Sequence, residues 1–119
     1  MQNIHRTIIR SVLALEKISF DYDGTLTNNN GLSLIKRKIT EGYDVYIITA
    51  RGEGRKGPVL DLAKELGLPA RKVIFAGSNA NKILKIKTLN ISKHYDNNPD
   101  VIKKINEMTN AEGKLVSYE

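Results

Sequence analysis

The sequence predicts an α/β protein with a five-stranded parallel sheet and helices on both faces, and two observations carry that prediction. Short runs of β-branched and aromatic residues alternate along the chain with longer runs whose apolar residues recur at helical spacing. The punctuation agrees, with prolines at helix starts and glycines just past helix ends. At 119 residues the chain suits one domain, so residues 1–119 are read as a single unit: an amphipathic segment over 1–16 and a core over 17–118.

In the leading segment Ile4, Ile8, Val12 and Leu15, with Ile9 and Leu13 beside them, predict a helix over residues 3–15. Lys17–Phe20 follows as the first strand. From Gly31 to Glu41 a second helix carries Leu32, Ile35 and Ile39 on one side, and Gly42 ends it. The run "YDVYIIT" is the second strand. Pro58 opens and Gly67 closes the next helix, whose apolar residues are Val59, Leu62, Ala63 and Leu66. "KVIFAG" is the third strand, "ANKILKIKTL" a helix with Ile83, Ile86 and Leu89 on its apolar side, and "ISKHYD" the fourth strand. Asn98 caps a helix that starts at Pro99 and buries Val101, Ile102, Ile105 and Met108. "KLVSYE" closes the chain as an edge strand, and "TNNNG" and "RGEGRKG" read as the conspicuous loops.

Composition bounds the function. Hydrophobic residues make up 40% and charged residues 27%, as in folded globular chains and not in disordered ones. The absence of cysteine excludes disulfides and thiolate metal centres and suits a reducing compartment. The N-terminal run is interrupted by Arg6, Arg10 and Glu16, so neither a secretory segment nor a bilayer span is expected; the expectation is a cytoplasmic protein with no membrane partner. A formal charge of +6 favours polyanionic partners or substrates. His5 and His94 lack any partner at metal-ligand spacing and are read as structural or surface residues.

Open parallel sheets bind ligands beyond the carboxyl ends of their strands, near the point where strand order reverses. The residues that fall there are Asp21 and Asp23 after the first strand, Thr49 and Arg51 after the second, and Asp96 and Asp100 after the fourth. Lys82 opens the helix before the fourth strand. A calcium-binding EF-hand loop starting at Asp21 is excluded, because its sixth position is Leu26 instead of Gly and its twelfth is Leu32 instead of Glu. A Walker phosphate loop is absent as well.

"DYDGT" after an apolar strand, Thr49 in "IITAR", a lysine before the last motif and "DNNPD" stand in the order found in the haloacid dehalogenase superfamily of phosphohydrolases. The chain resembles that family over residues 17–118. The resemblance implies a Rossmann-like three-layer sandwich and a Mg²⁺-dependent phosphomonoester hydrolase that works through an aspartyl-phosphate. It implies Asp21 as the nucleophile and Asp23 as the acid that protonates the leaving alkoxide and then activates water. Thr49 and Lys82 would hold the phosphoryl oxygens and neutralise growing charge. Lys85 and Lys87 are close to Lys82 in the sequence; Lys82 is preferred because it lies at the helix start. Substrate binding falls to Tyr22, Gly24, Thr25 and Arg51, the first two through their backbone amides. Carboxylates ~4 Å apart repel strongly outside bulk water. A Mg²⁺ held by Asp21, by Asp23 through its main-chain carbonyl, by Asp96 and by Asp100 would offset that repulsion. Asn97 stands where many relatives have a second consecutive aspartate.

Only a few residues separate Thr25 from the Gly31 helix, and one helix fills the space between Thr49 and the third strand, so no cap domain is expected. An open site admits bulky substrates. "HYDNNPD" is similar to the fourth motif of the phosphatase domains in polynucleotide kinase-phosphatases, which with the basic balance directs the expectation to a terminal phosphate on a nucleic acid or nucleotide. Two alternatives stand beside it. One is a catalytically silent module that binds nucleic acid or protein through Arg51, Arg55 and Lys56. The other is a small-molecule phosphatase lidded by homo-oligomerisation, for which the N-terminal helix offers a surface.

Overall fold

The computed structural model describes residues 16–117, in which five strands alternate with four α-helices. The strands are β1 (Lys17–Phe20), β2 (Asp44–Thr49), β3 (Val73–Phe75), β4 (Lys93–Asp96) and β5 (Glu112–Leu115). The helices are α1 (Asn29–Thr40), α2 (Gly57–Glu65), α3 (Asn79–Thr88) and α4 (Pro99–Met108). All strand pairs are parallel, in the order β3-β2-β1-β4-β5, which is a Rossmann-like arrangement. β1 is central, with Phe20 opposite Ile47 of β2 on one side and Tyr95 of β4 on the other. The direction of winding reverses between β1 and β4, and that seam is where the carboxyl ends open a crevice.

Side chains of a strand alternate between faces, and here each face has its own core. On one, Ile18, Phe20, Val45, Ile47 and Tyr95 meet Ile35 of α1 and Val59 and Ala63 of α2, and the Phe20 and Tyr95 rings stack with centroids 4.6 Å apart. On the other, Ile48 meets Ile83 and Ile86 of α3 and Val101 and Ile105 of α4. Alternation also sends Ser19, His94 and Asp96 to this second face, where all three are buried.

Two stretches depart from expectation. "TNNNG" is mostly helix: Asn28 caps α1 by accepting the Asn30 amide at 2.9 Å, so the helix starts at Asn29. Within that helix position 31 has to be glycine, because a Cβ there would stand 1.9 Å from the Thr25 carbonyl oxygen. The last strand begins at Glu112, earlier than "KLVSYE", and its ladder to β4 ends with the Val116 amide donating to the Asp96 carbonyl at 2.8 Å. The helix expected over residues 3–15, the self-association surface assigned to it, and positions 118–119 lie outside the described residues. None of the helices among the described residues is long and apolar enough to cross a membrane.

Candidate active site

The Asp21 amide donates to the Tyr95 carbonyl at 2.9 Å, the last rung of β1, and the chain then leaves the sheet. A kinked turn over Tyr22–Leu26 does this, with Asp23 extended (ψ 119) and Gly24 at φ 81, a left-handed value that glycine adopts without a side-chain penalty. The Gly24 amide is taken by the Thr27 hydroxyl at 2.8 Å. The bend separates the two carboxylates by environment: Asp21 is 5% exposed, whereas the Asp23 side chain is 51% exposed.

A chain of polar side chains runs from Asp21 into the interior. Lys82, in the first turn of α3, is buried and places Nζ 3.1 Å from Asp21 Oδ1 and 2.8 Å from Asp96 Oδ2. Asp96 Oδ2 also lies 3.0 Å from His94 Nε2, and His94 Nδ1 is 2.7 Å from Ser19 Oγ. A carboxylate can only accept, so Nε2 carries a proton; burial disfavours a second one on the ring, and in that neutral form Nδ1 accepts from the Ser19 hydroxyl, so both nitrogens are satisfied. Thr25 Oγ1, fully buried, donates to Asp21 Oδ2 at 3.2 Å. Among the described residues every buried side-chain nitrogen and oxygen has a partner, which is what allows a polar strip to run between two apolar cores.

Two buried carboxylates share one ammonium here, and the neutral imidazole adds no charge, so the cluster is one negative charge in excess. Burial, with Asp96 adding to it, pushes the Asp21 carboxyl up to about 6 despite Lys82 and Thr25. Burial also pushes Asp96 upward, but the His94 hydrogen bond and Lys82 outweigh it and hold that carboxyl below its usual range. Burial lowers Lys82, and the two aspartates more than reverse this. His94 is driven down by burial, in keeping with its neutral form.

Asn97 stands at the mouth of this cluster. Its side-chain amide has one terminal atom 3.2 Å from both Asp21 Oδ2 and the Asp23 carbonyl oxygen, and 3.4 Å from Thr25 Oγ1. With the NH₂ turned inward the amide donates to both acceptors. With the oxygen turned inward, it stands 3.2 Å from Asp21 Oδ2 and from the Asp23 carbonyl oxygen, close to the ~3 Å between neighbouring ligands of an octahedral ion bound at ~2.1 Å. Asp21, the Asp23 carbonyl and Asn97 are therefore the groups that could hold a small oxygen-seeking cation. Among the described residues no three His, Asp or Glu side chains are arranged for that task. Both Asp96 oxygens are engaged, Oδ2 as above and Oδ1 by the Asn98 amide at 3.0 Å. Asp100 is exposed and lines the groove between α3 and α4 with Asn79 and Lys104, and it is not joined to the cluster.

Of the remaining expected residues, Thr49 is fully buried at the end of β2, and its Oγ1 accepts the Arg51 amide at 3.1 Å. Lys85 and Lys87 are exposed, so of the three lysines only Lys82 reaches the carboxylates. Arg51 grips Asp23 with two bonds of 2.9 Å and lies 4.9 Å over the Tyr22 ring. That pairing holds the Asp23 carboxyl below its ordinary value and raises the Arg51 guanidinium. Ser19, His94 and Asn97 are members of the site that spacing along the chain did not reveal. The available signal was alternation, since His94 and Asp96 two apart on a buried strand must share a face. The chain matches no family model, no curated protein and no solved structure with which it was compared.

Proposed function

We propose that the chain is a Mg²⁺-dependent phosphomonoester hydrolase of the haloacid dehalogenase type, without a cap domain, working through a phosphorylated Asp21. The observation that carries the reading is the Lys82 ammonium held between Asp21 and Asp96 at the winding reversal of the sheet. It distinguishes the two Asp21 oxygens: Oδ1 faces Lys82, and Oδ2 faces Thr25 and Asn97.

The residual negative charge at Asp21 opposes the approach of a phosphate dianion. Asp21, the Asp23 carbonyl and Asn97 would hold a Mg²⁺, which would supply the counter-charge that the incoming phosphoryl group needs. Asp21 Oδ1 forms a bond to phosphorus as the ester P–O bond breaks, and the departing alkoxide takes the proton of the Asp23 carboxyl. Water then attacks the phosphorus of the aspartyl-phosphate, giving its proton to Asp23, and phosphate leaves as the Asp21 carboxylate is restored. Lys82 neutralises Asp21 in the resting site and the transferring group during attack, and the Thr49 hydroxyl donates to a phosphoryl oxygen. Asp96 is the anchor of Lys82 in this scheme, and Asn97 takes the ligand position first assigned to Asp96.

The open carboxyl edge, with Arg51 and Arg55 on it and a net charge of +6, directs the substrate reading to phosphates on nucleic-acid ends or nucleotides. Hydrolysis of an aryl phosphate with Mg²⁺, compared between wild type and Asp21→Asn, tests the chemistry. Turnover that chelation abolishes and Asp21→Asn lacks is expected; equal rates in the two proteins would overturn the assignment.

A further inference from the structure

In the resting site the Asp23 carboxylate is clamped and must be released before it can serve a leaving group. Arg51 Nε donates to its Oδ2 and Nη2 to its Oδ1, both at 2.9 Å, so each carboxylate oxygen faces the guanidinium. A third donor, Nη1, goes to the Arg55 carbonyl at 3.0 Å, and the plane rests over Tyr22. An arginine has five N–H groups, so two of its donors are left over on an exposed edge of the site. The loop behind it is uncrowded: a Cβ added at Gly52 or Gly54 would meet nothing within 4 Å.

Resting on the phosphohydrolase reading, we propose that Arg51 is a latch exchanged by the substrate. A second phosphate group, beside the one being removed, takes the guanidinium fork and frees Asp23 to face the leaving oxygen. The competition is between like partners, because a phosphate offers the guanidinium the same two-pronged geometry as a carboxylate. A simple ester has nothing to offer Arg51 and meets a clamped Asp23. The preferred substrate is therefore a phosphomonoester flanked by a second phosphate, as in a nucleoside bisphosphate or a strand end. Because release of Asp23 acts on the chemical step, the second phosphate raises kcat and does more than improve binding.

The test uses pairs of equal size. Dinucleotides carrying the same terminal phosphate are linked either by an ordinary phosphodiester or by a neutral methylphosphonate, and a nucleoside bisphosphate is compared with the monophosphate. With Mg²⁺, the wild type is expected to turn over the charged member with kcat roughly tenfold or more above the neutral one, the scale of one charge-assisted hydrogen bond. In Arg51→Gln that ratio falls to about one, and in Arg51→Lys, which keeps the charge without the fork, it stays below the wild-type value. A gain for either charged substrate supports the exchange, and the larger gain tells a small nucleotide from a strand end. Equal kcat within each wild-type pair, a gain confined to KM, or a ratio that survives Arg51→Gln overturns the latch while the phosphohydrolase reading stands. No turnover of any of the four by the wild type overturns that reading itself.

Discussion

Lys82 reaches Asp21 from the neighbouring helix, Nζ 3.1 Å from Oδ1, with side-chain exposures of 3% and 7%. The same ammonium is 2.8 Å from Asp96. Removing it leaves two buried carboxylates facing each other without a counter-charge. Lys82→Met is expected to lower stability by about 3–5 kcal/mol, as when one partner of a buried ion pair is deleted. Urea denaturation measures this. If the proposed chemistry holds, aryl phosphate turnover falls at least about a hundredfold in the same variant.

Asp21 carries the opposite sign. Its folded-state carboxyl titrates near 6, against an ordinary value of 3.8, so between those values the folded chain binds more protons than the unfolded one. Stability contributed by this group is present below pH ~4 and is lost as pH rises through ~6. The shift of about two units corresponds to no more than about 3 kcal/mol. Asp21→Asn should therefore be more stable than wild type at pH 8 in the presence of a chelator, by about 1–3 kcal/mol, and the difference should close towards pH 4. A thermal-melt series across that range measures it, and a difference that grows on acidification would contradict the assignment.

His94 has no solvent exposure and two hydrogen bonds. His94→Phe keeps most of the volume but strands the Ser19 hydroxyl and strips one donor from Asp96, at a cost of about 2–4 kcal/mol. Adding Ser19→Ala removes the stranded hydroxyl, and the double variant should recover roughly 1 kcal/mol of that loss. Denaturation of the four proteins in the cycle gives the coupling.

Gly31 predicts a contrast between glycines. A methyl group at position 31 collides with the Thr25 carbonyl at 1.9 Å, so Gly31→Ala must push α1 off the turn that positions Thr25 against Asp21, costing about 1–3 kcal/mol. At Gly54 the same methyl meets nothing, and Gly54→Ala should change stability by less than about 0.5 kcal/mol. Comparison of their melting midpoints decides it.

The sequence disclosed those features whose causes are local. The Asn98 cap, the Pro99 start and the alternation of strands with helices depend on neighbours within a few residues, and each stands where it was expected. Asp21, Lys82 and Asp96 were singled out by their place at strand ends and a helix start, and they meet in one cluster. What was illegible depends on contacts across the chain. Ser19 and His94 are 75 positions apart, and only the β1–β4 pairing brings them together. Asn97 reads as a departure from an aspartate motif until its amide is seen between Asp21 and the Asp23 carbonyl. The start of α1 at Asn29 is missed because "TNNNG" reads as a loop, and no local rule has a term for the Thr25 backbone that demands glycine at position 31.

The bond from the Val116 amide to the Asp96 carbonyl ties the outermost strand to the residue that anchors Lys82. An edge strand has a neighbour on one side only and is the first to fray. Peeling the sheet from this side would slacken the main chain under Asp96 while β1, β2 and β3 stayed paired. The rim of the sheet thus bears directly on the buried carboxylate cluster, and a tether or fusion pulling on β5 is expected to disturb Asp96 before it disturbs β1, β2 and β3.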